Sequence, residues 1–241
     1  MKKLLLIILI SLLMLSGCSF LFDAPQNPLL DYDFSEMDLV QLKAPLENQP
    51  TVKIYTSLGE LTAMLFPEYA PNTVGNFLAR VDDGFYENKP IFAVKEMEFL
   101  LTGALDTEGT QGVTQDGQLI PNEYSVDLWP FKGALLAYSG TRGFGDSRFF
   151  IAGSVPFTEE FEEEMRSAVD SDGNKLIPDE LIEAFRENES VVHFSLTYTI
   201  FGQITDGFDT LDKLLSVPTS DAGENFRPID EIYITKIEVL K

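Results

Sequence analysis

Few side chains in this sequence are suited to chemistry, and their rarity narrows the options. Cysteine and histidine each occur once, as Cys18 and His193, so one chain can form neither a disulfide nor a thiolate or histidine metal cluster. His193 could at most serve as a pH-sensitive contact. Oxygen ligands are plentiful, with 39 acids against 17 bases. Yet Asp170, Asp172 and Asn174 are followed by Lys175 where a calcium loop needs glycine, and Glu180 falls one residue short of the bidentate carboxylate. That stretch is expected to be a polar turn between helices; calcium, other metals and cofactors are not expected. What remains is Ile91–Gly103, two apolar runs split by Lys95-Glu96-Met97-Glu98, and Ser147-Arg148-Phe149-Phe150, which sets a guanidinium beside aromatic rings. Whether the protein is a catalyst or only a binder turns on how the first stretch is placed.

The formal charge of −22 would repel phosphate backbones, which argues against nucleic acid as a partner and against adhesion to anionic lipid headgroups. The amino terminus nevertheless points to a membrane. Met1-Lys2-Lys3 is a basic start and Leu4–Leu15 an apolar run too short to span about 30 Å of hydrocarbon. Leu15-Ser16-Gly17-Cys18 resembles a bacterial lipobox, which implies cleavage before Cys18 and acylation of its sulfur. Residues 1–17 are therefore expected to be a lipoprotein signal peptide. Cys18 is expected to anchor the mature chain to the outer face of a cell membrane in a bacterial envelope, since two or three acyl chains hold far better than one. Residues 18–50, broken by Pro25, Pro28, Pro45 and Pro50 without a sustained apolar period, read as a tether. Its aromatic and leucine content exceeds what a linker needs, so part of it is expected to pack on the domain or at the lipid surface.

The folded domain, 51–241, opens with two runs of strand-like alternation, Val52–Thr56 and Glu60–Phe66, joined by a tight turn at Leu58-Gly59. Pro67 ends the second run. Ala70-Pro71-Asn72-Thr73 then starts a helix with Val74, Phe77, Leu78 and Val81 on one face, stopped by Gly84. The final strand is expected between Ile229 and Leu240.

Thr56-Ser57-Leu58-Gly59-Glu60-Leu61, Leu65-Phe66-Pro67-Glu68, Ala70-Pro71-Asn72-Thr73-Val74, Asn76-Phe77-Leu78 and Gly84-Phe85-Tyr86 occur in that order. They are followed by Phe149-Phe150-Ile151, Tyr198–Ile204 and Gly207–Leu214. Together they resemble a cyclophilin-type peptidyl-prolyl cis-trans isomerase domain. The resemblance implies a mainly β fold with α caps: a closed, eight-stranded antiparallel barrel capped by two helices, here carrying an acidic helical insertion at about 157–192. It further implies cofactor-free catalysis, in which an apolar pocket seats the proline ring and an arginine donates to the prolyl nitrogen as its lone pair localises.

Carried over by the resemblance, the peptide-binding positions are Phe99, Leu100, Ser139, Phe150, His193, Phe194 and Tyr198. The polar half departs from the family. Its Phe-His-Arg-Val reads Phe92-Ala93-Val94-Lys95, which puts Val94 in the arginine's place, and Thr102 stands where a glutamine supports that arginine. Lys95 falls one residue late and, by strand alternation, is expected on the opposite face. Arg148, replacing a second glutamine, is the expected surrogate donor. Restoring arginine at Val94 is expected to raise activity.

The insertion holds 12 acids and 3 bases between Thr158 and Val192 and reads as two helices, one capped by Thr158 with Phe161 and Met165 inward, one after Pro178 with Leu181, Ile182 and Phe185 inward. The expected function is isomerisation of X-Pro bonds in exported or envelope proteins, weakened by Val94. The alternative is a non-catalytic proline-peptide-binding or chaperone module, or an envelope interaction scaffold.

Overall fold

The alternation at 51–65 builds the first hairpin. In the computed structural model, which describes residues 33–220 and 226–240, β1 (Thr51–Thr56) pairs with β2 (Gly59–Leu65) from Thr51 opposite Met64 to Thr56 opposite Gly59. Val52, Ile54, Leu61, Ala63 and Leu65 all turn to the same interior. The signal peptide, Cys18 and the tether as far as residue 32 lie outside the described residues.

Helix α1 (Pro71–Asp82) starts with proline in its first turn but has only Ala70 at its cap. The missing cap is supplied from far away in sequence: the Glu123 carboxylate accepts the amides of Asn72 at 3.0 Å and Thr73 at 2.9 Å. Val74, Phe77 and Val81 of α1 face the core.

The remaining strands are β3 (Lys89–Pro90), β4 (Ala93–Lys95), β5 (Phe99–Thr102), β6 (Ile120–Pro121), β7 (Ala134–Tyr138), β8 (Phe144–Gly145), β9 (Arg148–Ala152), β10 (Ile200–Asp206) and β11 (Tyr233–Leu240). Nine of the eleven form one antiparallel sheet in the order β3-β11-β1-β2-β10-β7-β9-β5-β4, and β6 pairs separately with β8. The expectation of a closed eight-stranded barrel is thus corrected: the sheet is curled, has nine strands and is open between β3 and β4. The reason lies at Ile91-Phe92. The Ile91 amide donates to Ile232 beside one edge strand, whereas the next amide, Phe92, donates to Leu101 of β5. A single crossing of the chain joins the two edges, in place of a ladder of hydrogen bonds.

The described residues hold four α-helices. Besides α1 these are α2 (Glu159–Ser167) and α3 (Asp179–Glu187) of the insertion, and α4 (Phe208–Leu215), whose Leu211, Leu214 and Leu215 are buried in the core. Thr158 caps α2 by accepting the Phe161 amide. Phe185 of α3 packs edge-on against Trp129, with centroids 5.9 Å apart, so the insertion is seated on the sheet layer and does not hang free. No helix among the described residues is long and apolar enough to cross a membrane.

The compact unit begins at Asp33, ahead of the first strand. Gln41 is buried there: its amide nitrogen donates to Gln203 at 2.9 Å and its oxygen accepts the Trp129 amide at 2.5 Å. Phe34 stacks on the Trp129 ring. The second half of the expected tether is therefore part of the domain.

Candidate functional site

Strand β9 explains where a cleft can form. All five of its residues are buried, because both faces of the sheet are covered here. Phe149 and Ile151 enter the inner core, and Phe150 enters a second, outer cluster with Ala93, Leu101, Leu136 and Ile200. Above that outer cluster lies a cavity of about 710 Å³.

Its floor is aromatic. Phe150 meets Phe99 at 5.2 Å, Tyr138 at 5.2 Å, Phe194 at 5.3 Å and Tyr198 at 4.9 Å between ring centroids. These tilted and edge-on contacts are the favourable ones for aromatic rings. They leave an aromatic basin suited to a compact apolar ring. Burial raises the Tyr198 phenol above its ordinary value. The last turn of the insertion delivers His193 and Phe194 to this floor through a short 3-10 turn, Val192–Phe194.

Of the expected binding positions, the structure brings Phe99, Phe150, His193, Phe194 and Tyr198 together on the cleft. Leu100 is fully buried on the inner face of β5. Ser139 holds a turn, its Oγ lying 2.9 Å from the carbonyls of both Thr141 and Phe144. Val94 and Thr102 are each fully buried, and Val94 belongs to the inner core. The strand face turned to the cleft carries Ala93 and Lys95 on β4, and Phe99 and Leu101 on β5. Lys95 does lie on the face opposite Val94, as strand alternation requires, but the expectation that Val94 holds the cleft side is corrected: the cleft face is the one Lys95 occupies. Lys95 stands opposite Phe99 in a regular ladder, so it shares the cleft face with Ala93, Phe99 and Leu101.

Arg148 is not a free donor. It is buried, with Nε 3.1 Å from Asp146 Oδ1 and Nη2 2.6 Å from Oδ2, while Nη1 donates to the carbonyls of Gly109 at 2.8 Å and Thr110 at 3.2 Å. Its Cζ lies 4.9 Å from the centroid of Tyr138. The guanidinium thus supports the cleft from behind, by gripping the 109–110 wall and one floor residue. Gly109 has φ +79°, and a Cβ there would overlap the Phe92 ring, so only glycine allows the loop to approach this closely.

The polar mouth was not foreseen. Glu98, largely buried, accepts from Lys95 Nζ at 2.5 Å and lies 3.1 Å from His193 Nε2. Across the opening, Arg227 Nη2 donates to the Thr107 carbonyl at 3.0 Å and stands 3.7 Å from Glu108. The alternation Ala93/Lys95 against Val94 was the available signal for the first group. Nothing local marks Phe226 and Arg227, which arrive from far along the chain.

The acidic turn at 170–175 folds on itself. Asp170 accepts the amides of Asp172 and Asn174, each at 2.8 Å. Among the described residues no three of His, Cys, Asp and Glu converge as metal ligands would.

Comparison with known proteins agrees with this architecture. A family model, cyclophilin type peptidyl-prolyl cis-trans isomerase/CLD, matches residues 51–239. A Streptococcus pyogenes protein provisionally named a bifunctional phosphatase/peptidyl-prolyl cis-trans isomerase is 30% identical over 209 residues, covering 85% of this chain and 42% of its own length. The chain thus spans under half of that relative. A Staphylococcus aureus protein provisionally named a peptidyl-prolyl cis-trans isomerase is 30% identical over 190 residues, covering 78% of this chain and 90% of the other. In fold, the crystal structure of a Cryptosporidium parvum cyclophilin type peptidyl-prolyl cis-trans isomerase superposes with a TM-score of 0.61 at 24% identity, over 80% of this chain and 98% of that one. Another crystal structure of that protein, in the presence of the dipeptide Ala-Pro, gives 0.60. The chain belongs to the cyclophilin-type peptidyl-prolyl cis-trans isomerase family.

Proposed function

We propose that the protein binds X-Pro segments of exported proteins in the aromatic cleft and isomerises them slowly. Rotation about an amide meets a barrier of about 18–20 kcal/mol because resonance stiffens the C–N bond, so a catalyst must favour the twisted form. The observation that carries this reading is the basin around Phe150, where four aromatic neighbours enclose a space for a proline ring. Burying that ring is worth about 25 cal/mol per Å² of apolar surface. It also removes water from the amide, whose resonance is weaker in apolar surroundings.

Slow turnover is proposed because the family's arginine position is the buried Val94 and Arg148 is engaged by Asp146 and the carbonyls of Gly109 and Thr110. Losing one preorganised donor costs about 10²–10³ in rate. The same engagement supports a second reading, a module that holds proline segments without turning them over. Acylation at Cys18 would place either activity on the extracytoplasmic face of the cell membrane.

A protease-coupled isomerisation assay on residues 33–241 tests the proposal. A measurable rate with cleft-mapped peptide shifts is expected. Binding without acceleration selects the second reading, and neither binding nor acceleration rejects both.

A further inference from the structure

Beyond seating the proline ring, the cleft must bring a donor to the amide, and the inner-face positions Val94 and Thr102 have no access to it. Lys95 does. It lies opposite Phe99 across the β4–β5 ladder, and directly opposed strand residues hold their Cβ atoms about 4.5–5.5 Å apart. A peptide whose proline rests on Phe99 and Phe150 therefore has its amide within a lysine's length of Nζ. The ammonium carries three donors. Glu98 takes one at 2.5 Å, and the side chain, 44% exposed, lines the cleft.

The surroundings fix that ammonium in place. Glu98 lies in the turn between the strands, and this turn is pinned on several sides. The Glu98 amide donates to Lys95 at 2.9 Å, the Gly153 amide to Glu98 at 2.7 Å, the Ser154 amide to Met97 at 2.7 Å, and the Met97 amide to Leu215 at 3.2 Å. Met97 itself is held at φ +62°, a left-handed conformation unusual for a long side chain. Strain of this kind persists where the surrounding structure over-determines it, commonly at sites that position a functional group. The other carboxylate oxygen of Glu98 meets His193, whose ring packs on Phe194 at 4.6 Å. The ammonium, the carboxylate and the imidazole are thus coupled mechanically to the aromatic floor. Arg227, by comparison, has Nη2 committed to a main-chain carbonyl.

Resting on the proline-cleft reading above, we infer that Lys95 is the catalytic cation of this chain, donating to the twisted X-Pro amide, and that Glu98 is the positioning residue that aims it. No bond is made or broken; the ammonium keeps its proton and only its hydrogen-bond partner changes.

The test uses the full chain in detergent, carbon-13 labelled at lysine and phenylalanine, with the peptide Ala-Ala-Pro-Phe as probe. Two quantities are read: the Lys95 side-chain resonance on titration, and the cis–trans exchange rate of the saturated peptide. Lys95→Met is expected to slow exchange tenfold or more while changing affinity less than threefold, and Lys95→Arg to retain exchange. Glu98→Gln is expected to lower the exchange rate at saturation without a matching loss of affinity. A wild-type chain that accelerates exchange, with Lys95→Met equally fast, overturns the role of Lys95 and leaves the isomerase reading standing. A wild-type chain that does not accelerate exchange, while the Lys95 resonance still moves with peptide, overturns the isomerase reading and upholds the contact. A Lys95 resonance that stays still while Phe99 and Phe150 shift overturns the contact itself.

Discussion

Val94 and Lys95 are neighbours in β4 with opposite surroundings: the valine is fully buried in the inner core, and the lysine reaches Glu98 at the mouth of the cleft. This is the period-two alternation of a strand, placed one residue away from where the family pattern puts its cation. Val94→Arg, which the sequence alone suggests as a gain of function, is therefore expected to bury an unpaired charge. A loss of about 4 kcal/mol or more is expected in urea unfolding, with no gain in isomerisation. A soluble, folded and faster Val94→Arg variant would refute this placement.

Asp146 and Arg148 form a buried pair, with side chains only 2% and 6% exposed. Removing the arginine alone, as Arg148→Gln, leaves a buried carboxylate without its partner and is expected to cost about 3–5 kcal/mol. The double variant Asp146→Asn/Arg148→Met is expected to recover part of that loss, since neither charge remains. Equal stability of the two variants by chemical denaturation would contradict the account.

Phe99 is half-buried at the cleft, whereas Phe150 is a buried hub. Phe99→Ala is expected to weaken binding of a proline peptide by roughly tenfold, about 1.4 kcal/mol, with a modest effect on folding. Phe150→Ala is expected to cost about 3–5 kcal/mol of stability as well. Fluorescence titration and thermal melts separate the two effects. Comparable melting losses would show that Phe99 is core and not cleft.

The insertion is expected to loosen first in acid. The guanidiniums of Arg186 and Arg166 hold Glu162 below its ordinary 4.5, and Lys175 holds Asp179 below its ordinary 3.8. Hydrogen bonding by Asn174 lowers Asp170 in the same way. A lowered folded-state value means stabilisation that is complete above the ordinary value and disappears as pH falls through the lowered one. Protection factors of the amides in α2 and α3 are therefore expected to fall below about pH 4, ahead of those in β1 and β2. Simultaneous loss of protection in both regions would count against this order.

Met97, at φ +62°, pays for its left-handed geometry. Met97→Gly is expected to leave stability unchanged or raise it by up to about 1 kcal/mol, because the strain and the loss of chain entropy on fixing glycine offset each other. It is also expected to loosen the turn, seen as faster amide exchange at Glu98.

Much of this was legible in the sequence, and the limits have physical causes. The alternation of β1 and β2, the periodicity of α1 and the capping of α2 by Thr158 are local patterns and were readable. Strands β7 and β9 are covered on both faces, so their sequences show no alternation and carry no sign of which residue enters the cleft. The aromatic positions Phe99, Phe150, Phe194 and Tyr198 could be found because large rings mark themselves in an ordered motif. The polar positions could not. Alternation separates Lys95 from Val94 but does not say which of the two faces the cleft, and the burial of Arg148 depends on a carboxylate two residues away.

Gly109 carries a consequence beyond its backbone angle. The wall it forms approaches Phe92 only because nothing projects from its α-carbon, while Arg148 holds its carbonyl from the other side. The width of the cleft is thus fixed by a missing methyl group, and position 109 becomes a calibrated spacer. An alanine there would move the wall outward by about one methyl radius. On the proposed peptide-binding reading, the wider cleft is expected to favour bulkier residues beside the proline.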